Sequence, residues 1–133
     1  MTPSFVLPTV VARPLASEDS SAFSYIGEDA IYQDKREYRL NRPVDFGLVA
    51  DWDDMEEFLK QTFNYLYFTD SSTSTLLMTE PASKSWLKRR KAYELAFETF
   101  QVRKFLIVNP QYMALMSFGK TSGLAVDIGH TMT

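Results

Sequence analysis

The chain contains no cysteine, so a disulfide framework and a thiolate zinc site are both excluded. Its one histidine is His130, and any nucleophile–histidine mechanism would need that residue as its base. No stretch approaches the roughly 18 consecutive apolar residues of a membrane span. The opening MTPSFVLPTVVARP also has no basic segment ahead of its apolar residues, as a secretory leader would. Positive charge is in the minority, with 14 Lys and Arg against 17 Asp and Glu and a net charge of -3. That removes the global basic excess on which non-specific nucleic-acid binding depends, and any basic patch must be local. The missing cysteine accords with a reducing compartment, and the sequence reads as a soluble intracellular protein.

What is present is apolar bulk. Hydrophobic residues make up 45% of the 133 positions, including ten Phe, seven Tyr and two Trp, enough to build a core and to exclude whole-chain disorder. The length suits one domain.

Phe5 to Val11 reads as a weak strand, placed at a sheet edge or bulge by Pro8 and Pro14. Ala16 to Ser24 is an exposed acidic loop, and Tyr25-Ile26-Gly27 restarts ordered structure. Asp29 to Asn41 reads as a short helix or turn, then an extended piece entering Pro43. The clearest helix starts after Ala50, capped by Asp51 or Asp53, with Met55, Phe58, Leu59, Thr62, Phe63 and Leu66 as its apolar stripe.

Asp70 to Thr75 is a loop and Leu76 to Thr79 a short strand. A second helix follows, capped by Ser83 or Ser85, with Trp86, Tyr93, Ala96, Phe97 and Phe100 on one side and a basic outer face. Phe105 to Val108 reads as a strand covered on both faces, and Pro110 opens a helix to about Ser117. Gly119 to Gly123 is a turn or helix stop, and Leu124 to Ile128 reads as a further buried strand. The alternation of strands and helices from Leu76 onward marks an α/β layer.

The acidic cluster of Asp51, Asp53, Asp54, Glu56 and Glu57 lacks the ligand spacing and turn glycine of a Ca²⁺ loop. A helix start explains it better, because negative charge there complements the dipole. Lys84, Lys88, Arg89, Arg90 and Lys91 read as a solvated face, with contact to phosphates or to an acidic partner as the rival, and Trp86 beside them reads as core. The GKTSG segment is not a phosphate loop, since it precedes a strand instead of following one. In the terminal DIGHTMT, Asp127 followed by a glycine turn would let backbone approach an anion while a carboxylate waits for a metal.

Read together, several stretches resemble the actin and actin-related protein family. PVDFGLVADWDDMEEFLKQTF, Pro43 to Phe63, is the longest and most specific of them. In the same order as the family come VVARP, YIGEDA, LLMTEP, FETF, SFGKTSG and LAVDIGHTMT, so the resemblance spans nearly the whole chain. It implies the ribonuclease H-like superfold shared with Hsp70 and sugar kinases, in which two α/β halves clamp ATP and a divalent cation between two phosphate hairpins. The expectation is a partial, first-half α/β ATPase domain without its first phosphate hairpin, ending within the second phosphate loop. Residues 1–133 then form one incomplete actin-like domain. Within it, 14–42 resemble the small DNase-loop subdomain and 43–133 the large subdomain.

By the same resemblance Asp127, Gly129, Thr131 and Thr133 fall on the second phosphate loop's Asp, first Gly, second Gly and Thr, with His130 in place of a second Asp. Nucleotide binding is thus expected of Asp127, Gly129, His130 and Thr131, and Mg²⁺ binding of Asp127. Pro110 occupies the place of the family's water-orienting Gln, which leaves no catalytic residue, although Gln111 next to it can partly reach. Phe46 stands at the usual methylated-histidine position. The loop between Arg13 and Tyr25 is short and polar, so conventional filaments are not expected.

The resemblance implies an actin-related interaction subunit of a cytoskeletal or nuclear complex, chromatin remodelling included. Nucleotide binding would be vestigial at most, and the chain by itself would not hydrolyse ATP. Its partners would be actin, actin-related proteins or a multi-subunit complex, with no membrane and no nucleic acid. The rival reading is an incomplete record of an ATP-binding, filament-forming actin. Apolar surface awaiting a neighbour is a further expectation.

Overall fold

The structure is a computed structural model that describes residues 5–15, 23–66, 73–81 and 86–129, without the side chain of Lys88. It divides into two compact units, residues 1–45 with 49–68 and residues 46–48 with 69–133.

The first unit is built on β1, Val11–Pro14, which lies between β2, Tyr25–Ile26, and β3, Tyr38–Asn41, in an antiparallel sheet. Val11 pairs with Ile26 on one side and Asn41 on the other, and Ala12 with Tyr25 and Leu40. Strand alternation then sorts the side chains onto two faces. Val11 and Ile26 meet Phe58 on one face, while Ala12 packs with Val10, Ala30, Tyr25 and Tyr38 on the other. The expected edge strand at Phe5 to Val11 is therefore displaced: the strand begins at Val11 and is the central one. Pro14 is tolerated because Leu15 N–H bonds the Glu37 carbonyl on the β3 side. The ring nitrogen of Pro14 thus faces the β2 side, where that two-residue strand has already ended.

Gly27 opens α1, Gly27–Ile31, at φ +64°, a left-handed conformation that glycine adopts without a Cβ penalty. Helix α2, Trp52–Tyr65, starts at Asp51, whose carboxylate accepts from the Asp53 and Asp54 amides. Upstream, the carbonyl of buried Pro43 accepts from the amides of Ala50 and Asp51 and ties the entry down. Asp54, Met55, Phe58 and Leu59 are the buried residues of α2. The expected stripe holds through Thr62 and Phe63, which are half-buried, but Leu66 at the C-cap is exposed.

A short ribbon pairs β4, Val44–Asp45, with β5, Leu48–Val49. Its two-residue turn carries Phe46 at φ +47° and Gly47 at φ +69°. Positive φ at both positions is the requirement of a primed hairpin turn, which Asn, Asp and Gly satisfy cheaply and a bulky aromatic does not.

In the second unit β6, Thr75–Thr79, runs parallel to β7, Lys104–Val108, with Leu76 opposite Phe105 and Leu77 opposite Leu106. The crossover is α3, Trp86–Glu94, continuing into a π-helical turn, Leu95–Thr99. That wider turn closes with Phe100 N–H on the Leu95 carbonyl and Val102 N–H on the Ala96 carbonyl. Helix α4, Pro110–Ser117, is capped by Asn109, which accepts from the Tyr112 amide, and stops at Gly119 with φ +68°. The expected α/β alternation is present as this parallel strand–helix–strand unit.

The core of this unit joins Ala92, Ala96, Phe100, Val102 and Phe105, with Tyr93 and Phe97 edge-on to the Phe105 ring. Three expectations fail here. Trp86 is 66% exposed instead of core, because it lies off the Ala92–Ala96 row, and the Arg90 guanidinium sits 5.8 Å from its ring centroid. β7 is covered on one face only: Phe105 is buried, while Leu106 and its partner Leu77 are exposed. Leu124 to Ile128 makes no strand, and Leu124, Val126 and Ile128 are exposed. Its apolar alternation describes a surface to be covered, but a strand forms only where an edge receives its backbone groups. The candidate caps Ser83 and Ser85 lie outside the described residues.

Replacing Phe46 by Gly relieves the left-handed strain. Chemical denaturation should show a gain of about 1 kcal/mol.

Candidate functional site

The residues assigned to the phosphate loop are only partly described. Asp127 and Gly129 lie on the exposed irregular segment after Gly123, not at the end of a paired strand. His130, Thr131 and Thr133 lie outside the described residues. Pro110 is the first residue of α4 and is half-buried, as is Gln111 beside it. No group of three or more metal-competent side chains occurs among the described residues. One exposed carboxylate and one glycine do not by themselves make a cradle for a nucleotide and its cation.

The polar centre that does assemble lies in the first unit. α2 presents Asp54 and Phe58, one turn apart, to the sheet face that carries Val11, Arg13, Ile26 and Asn41. Phe58 meets the apolar pair, and Asp54 meets the polar pair. Arg13 Nε donates to Asp54 Oδ1, and Asn41 Nδ2 donates to Oδ2 at 2.9 Å. The Asp54 side chain is 2% exposed, whereas that of Arg13 is 33% exposed, so the carboxylate is desolvated and the guanidinium is partly wet. The hydrogen bond to Asp54 holds the Arg13 guanidinium above its ordinary range despite partial desolvation.

Above this clasp is an open hollow of about 430 Å³, lined by Arg13, Asn41, Asp51, Asp53, Glu57 and Lys60, among others. The helix-start reading of the acidic cluster holds for Asp51, which caps α2, and for Asp53 and Asp54 in its first turn, but Asp54 is in addition buried against β1 and β3. A hint was available in the sequence, since Asp54 and Phe58 are spaced for one helix face. The partner strands could not be read from that spacing.

A second hollow, about 500 Å³, lies between Phe23 and the last turns of α2. Gln61 Nε2 bridges the Ser24 carbonyl and Glu57 Oε1, both at 2.7 Å. Nearby, the Tyr65 hydroxyl donates to Asp29 Oδ2 at 3.0 Å, which raises the phenol above its ordinary pKa. On α3 the described cations are engaged: Arg89 with Glu80 at 3.3 Å, Arg90 with Glu94 at 3.0 Å and Lys91 with Glu94 at 3.4 Å. These contacts fit a solvated ion-paired face better than a phosphate-binding one.

Removing Arg13 leaves a buried charge with one neutral donor. Arg13→Ala should lower stability by about 3–5 kcal/mol in urea unfolding, whereas Lys60→Ala, which breaks only an exposed pair with Glu56, should cost less than about 1 kcal/mol. Asp29→Asn should return the Tyr65 phenol toward its ordinary range in an ultraviolet titration. Because the folded pKa is raised, the contribution of that bond is full at neutral pH and is lost as pH rises through the folded value.

Sheet, helix and clasp are formed by the same segments that carry the family-like motifs: VVARP supplies Arg13, YIGEDA supplies β2 and α1, and WDDME supplies Asp54. Comparison with protein families agrees with them: the family model described as actin matches residues 1–133, every position of the sequence. The chain belongs to the actin family.

Proposed function

We propose that this chain is part of an actin-related protein that works through protein contacts, as an interaction subunit of a cytoskeletal or nuclear assembly such as a chromatin-remodelling complex. In this reading it has at most vestigial ATP and Mg²⁺ binding, and the isolated chain hydrolyses no ATP. The observation that carries the reading is Pro110. At the position where the family resemblance expects a water-orienting Gln, the chain has a ring without a side-chain donor or acceptor, built into the first turn of α4 behind its Asn109 cap. An attacking water finds no side-chain partner at position 110, and only Gln111 next to it can partly reach.

Exposed apolar side chains support the protein-contact half of the proposal. Leu77, Leu106, Leu124, Val126 and Ile128 are all open to solvent within the second unit, and apolar surface of that kind is a usual mark of interaction surfaces. Asp127, Gly129, His130 and Thr131 remain the residues through which a phosphate would be held, with Asp127 as the cation ligand. The reading also takes 14–42 as the counterpart of the small subdomain and 43–133 as that of the large one, within a ribonuclease H-like superfold. It places the protein inside the cell, in the cytoplasm or nucleus. No helix among the described residues is long and apolar enough to cross a membrane.

Two measurements on the full chain test this. Single-turnover incubation with MgATP should release no phosphate above a protein-free control, and analytical ultracentrifugation with purified monomeric actin should show a complex. Phosphate release abolished by Asp127→Ala would overturn the proposal in favour of an active ATPase. The lack of a complex would remove the interaction reading for that partner.

A further inference from the structure

The charges of the first unit are unevenly matched. Among its described cations, Arg13 is paired with Asp54, and Lys60 with Glu56 at 3.1 Å. The other four, Lys35, Arg36, Arg39 and Arg42, are all exposed, lie on β3 and the residues flanking it, and form no ion pair with any described carboxylate. Only Asp34 and Glu37 offset them in that stretch, and the Asp34 carboxylate already accepts from the Arg36 amide at 2.9 Å.

β3 is also an end strand of its sheet, paired to β1 on one side. Leu15 N–H donates to the Glu37 carbonyl at 2.7 Å, so the hydrogen-bonded pairs further along are Arg13 with Arg39 and Val11 with Asn41. Leu40, between them, therefore points its N–H and C=O away from β1. Tyr38 turns the same way, but its N–H is taken by the Asp34 carbonyl at 2.9 Å. No described residue bonds the Leu40 amide or carbonyl, which leaves the outer edge open to a further strand at that point. Side chains alternate along it: Arg39 lies on the α2 face, and Leu40, 40% exposed, lies on the face of Tyr38 and Tyr25.

We propose that the outer edge of β3 is a docking site for an extended segment of a partner protein in which acidic and apolar residues alternate. The segment adds as a strand. Its backbone bonds the Leu40 N–H and C=O, a carboxylate stands opposite Arg39, and an apolar side chain opposite Leu40 continues the Tyr25–Tyr38 cluster. Lys35 and Arg36 before the pairing and Arg42 after it supply the local field that draws an acidic chain in. Charged side chains on an edge ordinarily keep it unpaired. Here they bar only chains of their own sign: a second copy docking β3 against β3 would bring the same cations together, whereas an acidic segment meets charges that no described carboxylate has neutralised. Unlike the uncovered apolar side chains of the second unit, this site recognises its partner by backbone pairing and charge.

The probe is a fluorescein-labelled peptide of alternating glutamate and valine, titrated into the full chain and read by fluorescence anisotropy. It should bind saturably at low salt and lose affinity as salt rises, and hydrogen exchange of the Leu40 amide should slow in its presence. Arg39→Glu should weaken binding about three- to tenfold, through a like-charge pair in place of an opposite one. Leu40→Pro removes the outward N–H and leaves the β1–β3 bonds at Arg39 and Asn41 in place, so it should abolish binding with an unchanged circular dichroism spectrum. If that variant does not fold, the same peptide N-methylated throughout decides on the native chain: it keeps its charge but cannot donate to a ladder, and it should not bind. Failure of the native peptide to bind, equal binding of the N-methylated one, or indifference to Arg39→Glu overturns the proposal. Stronger binding of a single-stranded oligonucleotide or of phosphatidylserine vesicles also overturns it, in favour of a phosphate-binding patch, as does self-association that excludes the peptide.

Discussion

A carboxylate that has left water must find its partners in the protein, and in this chain Asp54 finds them on two different strands. The requirement binds three segments far apart in sequence: Arg13 from β1, Asn41 from β3, and the first turn of α2 with its Asp51 cap. The apolar contact of Phe58 with Val11 and Ile26 follows one turn further along the same helix face. Hydrophobic burial supplies the larger driving force, but it is non-directional. The clasp supplies the direction, because a hydrogen-bonded carboxylate tolerates little displacement.

The second unit works by other means. Its parallel pair is held by the crossover through α3, and the π-helical turn at Leu95–Thr99 carries the chain round so that Phe100 and Val102 enter the core beside Phe105. One face of the pair is covered by Tyr93 and Phe97, while the Leu77–Leu106 face is open. Apolar exposure of this kind is the surface that the proposed interaction role would use, whereas the ion-paired cations of α3 offer phosphates little that is not already engaged.

Much of the fold was legible from local signals. Asp51 before a helical stripe, Pro110 after an apolar run and Gly119 behind α4 each mark a boundary through chemistry confined to a few residues, and each boundary stands within a residue or two of its expected place. The failures share a cause. Trp86, Leu106 and the Leu124–Ile128 segment are apolar by composition, but burial is a property of what lies opposite, and nothing in a short window states it. Asp54 failed in the other direction: its neighbours Asp53 and Glu56 are ordinary residues of a helix start, and only its place on the Phe58 face separates it from them.

By itself the sequence determined the family, through an ordered series of motifs spread along most of the chain. It also determined the α/β character and the position of the main helix, because periodicity, capping and turn chemistry act over a few residues. Tertiary structure alone decided that β1 is central, that Asp54 is a buried link between strands and not one more solvated acid, and that the last apolar segment stays uncovered. Those outcomes depend on which surfaces meet across dozens of residues, and desolvation, which makes a charge demand a partner, exists only once they have met.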